Sequence, residues 1–244
     1  MNIIAVMMAA GDKSTLKRKN SYPILGKPML QWSLEEAKKA KFIDHVFCWT
    51  EDEELKQITR DCGCNVIPRM KEQVHYHGGF SNPRQWGPAR TRHIESVLGQ
   101  IDIQIDLNCN YCLFTGELLS DMYSKLMEDA LAKDIFPVTR FNGHLFQINP
   151  KNDKLFPVWH CQDFDRQKYP DLVLRGSGIS ITHMKRQREM VSLQSLYHYV
   201  DHQYLLYVHD KDDVELAEYY LSKRQTQWEP RLHELAVKPG SILR

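Results

Sequence analysis

The first seventy residues read as strand, helix, strand, helix, strand, and that order restricts the fold more than any other feature of the chain. Residues 2–8 form a continuous apolar run that ends in three small residues, Ala9-Ala10-Gly11. Such a run suits a parallel strand buried on both faces and opening into a loop. From residue 29 to 41, apolar side chains fall at 30, 32, 34, 37 and 40, the period of a helix. Residues 45–50 are a second strand. Residues 51–62 are a helix with Thr50 as its cap and acids in its first turn. Residues 65–67 are a third strand. This alternation predicts a mostly parallel sheet with helices on both faces, a three-layer Rossmann-like α/β fold.

The rest of the chain continues the pattern less regularly. Residues 71–90 hold Gly, Pro and His without a period and read as a long loop. Helices are expected at 90–100, 115–133 and 212–224, and strands at 103–107, 135–139, 144–148, 173–174, 179–182 and 205–208. Residues 1–225 read as one domain and 226–244 as an irregular tail. The 32 Lys and Arg against 31 Asp and Glu give 32 − 31 = +1, so no global field favours nucleic acid or an anionic membrane. No apolar run approaches the roughly 20 residues of a membrane span, and the start lacks the basic region of a signal peptide. Six cysteines, at 48, 62, 64, 109, 112 and 161, show no secreted framework. Reduced thiols in a cytoplasmic protein are expected.

The loop after the first strand carries the most chemical information. Residues 11–20, GDKSTLKRKN, place four cations behind a buried strand. Backbone N–H groups and point charges in such a loop suit a triphosphate; a solvated basic turn is the other reading, because G-x-x-x-x-G-K-S/T is absent. For an acidic ligand the guanidinium candidates are Arg90, Arg92, Arg166 and Arg175. Arg90 and Arg92 also read as a solvated helix start, the favoured reading. The single C-x-x-C at 109–112 reads as coincidence rather than zinc. His198 and His202, four apart on a possible helix, read as packing or surface residues.

Several segments then match, in order, the motifs of one family. Ala9-Ala10-Gly11 through Lys19-Asn20, followed by Leu25-Gly26-Lys27-Pro28-Met29, resembles A-R-x-x-S-K-x-x-x-x-K-N and x-G-K-P-L. Residues 49–54 (WTEDEE) resemble S-T-D-D-E-E. Gly63 with Pro68-Arg69 resembles G-x-x-V-x-x-R-P. Residues 107–113 (LNCNYCL) stand in the place of L-Q-P-T-S-P-L. Arg166-Gln167 with Pro170, Arg175 and Gly178 resembles R-Q-x-x-P…R-x-N-G, and residues 213–218 (DVELAE) resemble D-L-E-x-A-E. These are the motifs of the CMP-acylneuraminate (CMP-sialic acid) synthetases, and the chain resembles a divergent cytidylyltransferase of that family over roughly residues 2–221.

The resemblance implies a nucleotidyltransferase that moves CMP from CTP to an acidic sugar of the sialic, nonulosonate type and releases pyrophosphate. It implies Mg²⁺ as cofactor, and a homodimer supported by an excursion at about 140–200. By residue, it implies Ala9, Ala10, Gly11, Lys13, Lys19, Asn20, Arg69 and Asn108 at the nucleotide, with Lys19 on phosphate and Arg69 and Asn108 near the base. Arg166, Gln167 and Arg175 are implied at the acceptor.

Two departures are informative. The family Arg that faces the triphosphate is Ala10, with Lys13, Lys17 and Arg18 as the neighbouring cations. The family D-x-D on the last strand, which carries Mg²⁺, aligns without a gap on Tyr207 and His209. Asp210 and Asp212 form a D-x-D three residues downstream; they either hold the metal and act in catalysis or cap the last helix. The departures leave two alternatives open: a cytidylyltransferase for another acceptor, such as a phosphonate or keto-acid sugar, and an inactive nucleotide-binding paralogue.

Overall fold

The computed structural model describes residues 1–11, 16–69, 83–141, 145–149, 151, 153–157, 172–189 and 194–225. Strand β1 (Ile3–Met8) lies inside the main sheet. A short hairpin, β2 (Pro23–Ile24) and β3 (Lys27–Pro28), leads into helix α1 (Met29–Lys39). β4 (His45–Thr50), α2 (Glu53–Asp61), β5 (Asn65–Pro68), α3 (Pro83–Leu98), β6 (Ile103–Asn108) and α4 (Gly116–Glu128) follow. β4 and β6 flank β1, both parallel to it, and β5 extends the parallel set beyond β4. The chain thus builds outward from β1 to β5 and then jumps back to the other edge of β1. That reversal opens a crevice between the carboxyl ends of β1 and β6, where open α/β sheets bind their ligands.

The second half completes the sheet. β7 (Asp134–Phe141) lies beyond β11 (Ile179–His183), which runs antiparallel to both β6 and β7. β10 (Leu172–Arg175) runs antiparallel along residues 138–141 of β7, and β12 (Ser195–Tyr199) runs parallel to β7. A hairpin of β8 (Phe146–Asn149) and β9 (Lys154–Pro157) stands outside the sheet. The segment at 140–200 therefore gives β10, β11 and β12 to the main sheet. α5 (Met184–Arg188) follows β11, and α6 (Lys211–Gln225) is the last described element.

Alternation along β1 explains why it is apolar throughout. Ile3, Ala5 and Met7 pack with Ile103, Ile105, Leu107 and residues of α1 and α4; Ile4 and Val6 pack with Trp49, Ile67, Ile94 of α3 and Met184. Both faces are covered, so neither accepts a polar residue. A third cluster joins Val214, Ala217 and Leu221 of α6 to Ile24, Met29, Leu113 and Val208.

Some local expectations change. α2 is capped by Asp52, whose side chain accepts from the Leu55 N–H at 3.0 Å, while Thr50 Oγ1 accepts from the Asp52 N–H. α3 begins at Pro83, inside the segment read as loop. Residues 195–199 are a strand and 202–205 a 3₁₀ turn, so His198 and His202 share no helix face. Among the described residues the expected strand at 205–208 pairs with no other strand. The Val208 N–H donates to the Asn110 carbonyl at 3.0 Å. Val208 is fully buried there, and its neighbours Tyr207 and His209 are exposed.

Candidate active site

Lys19 and Asn20 sit in a 3₁₀ turn at the mouth of the crevice and are both buried, at 7% and 8% exposure. Asn20 ties the two walls together. Its Nδ2 donates to the Ala10 carbonyl at 2.6 Å, and its Oδ1 accepts from the Cys109 thiol at 3.0 Å. Asn108, the last residue of β6, turns its Oδ1 back to the Asn110 N–H at 3.1 Å. Asn110 Nδ2 in turn donates to the Tyr207 hydroxyl at 3.1 Å. The Lys19 ammonium lies 4.9 Å from the centroid of the Tyr207 ring, a cation–π distance. Lys19, Asn20, Ala10 and Asn108 are thus joined in one connected cluster, together with Asn110 and Tyr207.

The electrostatics of the cluster are uneven. Arg18 pairs with Asp52 at 3.1 Å and with Glu54, so its charge is committed to the start of α2. The Gly11 N–H donates to Glu51 Oε1 at 2.7 Å. Lys19 makes no ion pair among the described residues, and its buried ammonium is the cation of the crevice that lacks an anion there. A buried charge without a counter-charge is costly, and the Tyr207 ring is the neighbour that offsets part of that cost. The thiols around it are inert: burial pushes Cys112 and Cys48 up to about 12 and raises Cys109 as well.

Arg69 follows β5 with its guanidinium 4.6 Å from the Trp49 ring, and Arg90 lies 5.4 Å from the same ring. Burial lowers the Arg69 pKa; Glu51 opposes that and Arg90 adds to it. Arg90 is not a solvated helix start. It is buried and paired with Asp106, which also accepts from Gln104 Nε2 at 2.9 Å. Thr91 donates to Gln104 Oε1 at 2.8 Å. This network, with Arg188, lines a cavity of about 460 Å³ bounded by α3, β6, β11 and α5. The signal for it was legible: residues 103–108 alternate apolar and polar, which turns Gln104, Asp106 and Asn108 to one face. Arg92 is exposed.

Arg175 ends β10, exposed, with its guanidinium 3.4 Å from the Phe136 ring centroid. Lys13, Arg166 and Gln167 lie outside the described residues. Asp210 and Asp212 are both exposed. Asp210 Oδ1 accepts from the Asp213 N–H at 3.1 Å, and Asp213 Oδ2 accepts from the N–H groups of His209 and Asp210 at 2.8 and 3.2 Å. That is a reciprocal capping box at the start of α6. Among the described residues no group of three His, Cys, Asp or Glu side chains could hold a metal ion. The described side chains thus form no all-protein cage, and a Mg²⁺ held by one or two carboxylates together with substrate phosphates needs none.

The chain is similar to known proteins in sequence and in fold. Residues 5–74, which run from β1 through β5, match the family model described as Cytidylyltransferase. Over 159 residues the chain is 24% identical to a pseudaminic acid cytidylyltransferase of Campylobacter jejuni, covering 62% of this chain and 66% of that one. Over 128 residues it is 28% identical to a 3-deoxy-manno-octulosonate cytidylyltransferase of Psychrobacter cryohalolentis, covering 51% and 44%. The matched part thus spans just under two thirds of the first relative and less than half of the second. Among solved structures, CMP:2-keto-3-deoxy-manno-octonic acid synthetase complexed with CTP superposes with a TM-score of 0.65 at 13% identity, over 92% of this chain and all of that one. A 4-diphosphocytidyl-2C-methyl-D-erythritol synthase of Anaerococcus prevotii gives a TM-score of 0.60 at 10% identity, over 91% and 99%. The three-layer α/β fold is shared with both, and the resemblance to the CMP-acid-sugar synthetases is borne out at low identity.

Proposed function

We propose that the chain is a cytidylyltransferase that makes a CMP-activated acidic sugar from CTP. The observation that carries this reading is the buried Lys19 ammonium, without a counter-charge among the described residues, at the topological switch point of a sheet that resembles cytidylyltransferases in sequence. In this reading an oxygen of the acceptor attacks the α-phosphorus in line. The P–O bond to the leaving pyrophosphate breaks, and the acceptor's proton passes to solvent. The chain contributes position and charge: Lys19 faces the phosphates, Asn20 fixes the loop, and Arg69 and Asn108 face the base. The relatives named for pseudaminic acid and 3-deoxy-manno-octulosonate support an acidic keto sugar as acceptor. Arg175, with Arg166 and Gln167, is the set proposed to grip its carboxylate.

Mg²⁺ enters this proposal as the counter-ion of the triphosphate, because Asp210 is engaged in capping and no described cluster would hold the ion. A second reading, a nucleotide-binding module without turnover, is favoured by that same capping of Asp210. A homodimer is proposed, with the exposed apolar side chains of β8, β10 and β12 (Phe146, Ile148, Val173, Leu174, Tyr197 and Tyr199) as the candidates for its interface. A cytoplasmic location is part of the proposal: the described cysteines are free thiols, and no described helix is long and apolar enough to cross a membrane.

The test is product formation. CTP, Mg²⁺ and the purified chain are incubated with pseudaminic acid, 3-deoxy-manno-octulosonate, sialic acid and a phosphonate, and pyrophosphate and the CMP-linked product are measured. A CMP-sugar with one of the three acids supports the reading. Binding of CTP without product from any acceptor moves the conclusion to the nucleotide-binding module.

A further inference from the structure

Tyr207 is placed oddly for a residue with a purely structural part. It is 40% exposed at the crevice, yet three buried side chains hold it. Lys19 lies against its ring, Tyr111 packs edge-on at 5.3 Å, and Asn110 donates to its hydroxyl oxygen at 3.1 Å. The backbone sets this position, because the Val208 N–H bonds the Asn110 carbonyl and buries Val208, which turns Tyr207 outward. A phenol has one hydrogen to donate. Asn110 occupies an acceptor site of the oxygen, so the Tyr207 O–H is left to donate to something else. Among the described residues no acceptor receives it. The same side chain that seats an ammonium lacking an anion therefore also presents an unused donor beside it.

We infer that Tyr207 is a ligand-contacting residue: its hydroxyl donates a hydrogen bond to a phosphate oxygen of the nucleotide, and its ring holds the Lys19 ammonium over the same group. This rests on the proposed nucleotide site. The Lys19–Tyr207 pair supplies one full positive charge and one neutral donor from protein atoms alone. Asn110 is the positioning residue, because it fixes the oxygen and so the direction of the O–H.

The test is CTP binding by calorimetry to the parent chain and to Tyr207→Phe, Asn110→Leu and Lys19→Ala, with and without Mg²⁺, alongside thermal melts. Tyr207→Phe keeps the ring on Lys19 and removes only the donor. A hydrogen bond to a charged oxygen corresponds to roughly tenfold to a hundredfold in affinity. Tyr207→Phe is expected to weaken CTP by at least about tenfold at an unchanged melting temperature, in the presence and absence of Mg²⁺. Asn110→Leu is expected to weaken it less, in the same direction. Unchanged CTP affinity in Tyr207→Phe, with weakened affinity in Lys19→Ala, overturns the role of Tyr207 and leaves the nucleotide site standing. Unchanged affinity in both variants overturns the nucleotide site and the inference together.

Discussion

Replacing Gly178 with alanine should damage the site from beneath. A Cβ built on Gly178 lies 2.8 Å from Tyr111 Cγ and closer still to the ring carbons Cδ2 and Cε2. Carbon atoms prefer separations of about 3.5–4.0 Å, so the ring or the backbone must move by roughly 1 Å or more. The backbone is pinned: the Gly178 carbonyl accepts from the Asn108 N–H at 2.8 Å, and β11 begins at the next residue. The ring is pinned too, being 7% exposed with its hydroxyl 3.0 Å from Ser177 Oγ. Overpacking of this kind costs about 1–3 kcal/mol, and losing the hydroxyl contact adds about 1 kcal/mol. Urea unfolding of Gly178→Ala should therefore show a loss of about 2–4 kcal/mol. Because Tyr111 packs on Tyr207, CTP affinity should fall as well. Tyr111→Ala removes the obstacle, so the double variant should be at least about 1 kcal/mol more stable than the summed single losses predict. A Gly178→Ala chain within about 0.5 kcal/mol of the parent would show that the close approach is not a constraint.

Asp210→Asn should leave the Mg²⁺ dependence of turnover unchanged and cost at most a few tenths of a kcal/mol, since asparagine caps a helix as well as aspartate; Asp210→Ala should cost about 1 kcal/mol. A collapse of Mg²⁺-dependent rate in Asp210→Asn would instead place the ion on that carboxylate. Acid should destabilise the chain through its histidines. Burial lowers the pKa of His198 and of His183, so the unfolded chain binds protons first as pH falls from about 6.5. Their contribution is complete above the unfolded value and is lost as pH drops through the folded one. Urea midpoints at pH 7.5 and 5.5 check this, and His198→Gln should flatten the difference. Maleimide at pH 8 should leave Cys48, Cys109 and Cys112 unmodified in the folded chain, because their thiols are buried and nearly fully protonated; rapid labelling of any of the three would contradict their placement.

The parallel half of the fold was readable because both faces of β1 and β4 are covered and leave apolar runs, with clear turns between them and before the edge strand β5. The order of those runs, with β6 following, also fixes the switch point and so the place of Lys19 and Asn20. What local sequence could not show was tertiary. The run at 205–208 has strand composition, but Val208 is apolar because it packs under α6, not because it pairs in a sheet. Arg90 looks like a solvated residue by its charged surroundings, and only the return of β6 brings Asp106 to it. His198 and His202 have helical spacing, yet the parallel pairing of β12 with β7 overrides it. Asp210 offered two readings that spacing alone left balanced, and a hydrogen bond to a backbone N–H three residues on gives the capping geometry. Tyr207 stood out in the sequence only as a departure from a motif; its contacts with Lys19 and Asn110 come from residues about 190 and 97 positions away.

In the proposed function a cytidine triphosphate occupies the crevice between β1 and β6 with its phosphates on Lys19. A crystal structure of the chain with CTP tests it most directly. A phosphate oxygen is expected within hydrogen-bond distance of Lys19 Nζ and of the Tyr207 hydroxyl, with cytosine facing Arg69 and Asn108. CTP found elsewhere, for instance in the cavity lined by Arg90 and Arg188, with Lys19 still without an anion, would contradict it.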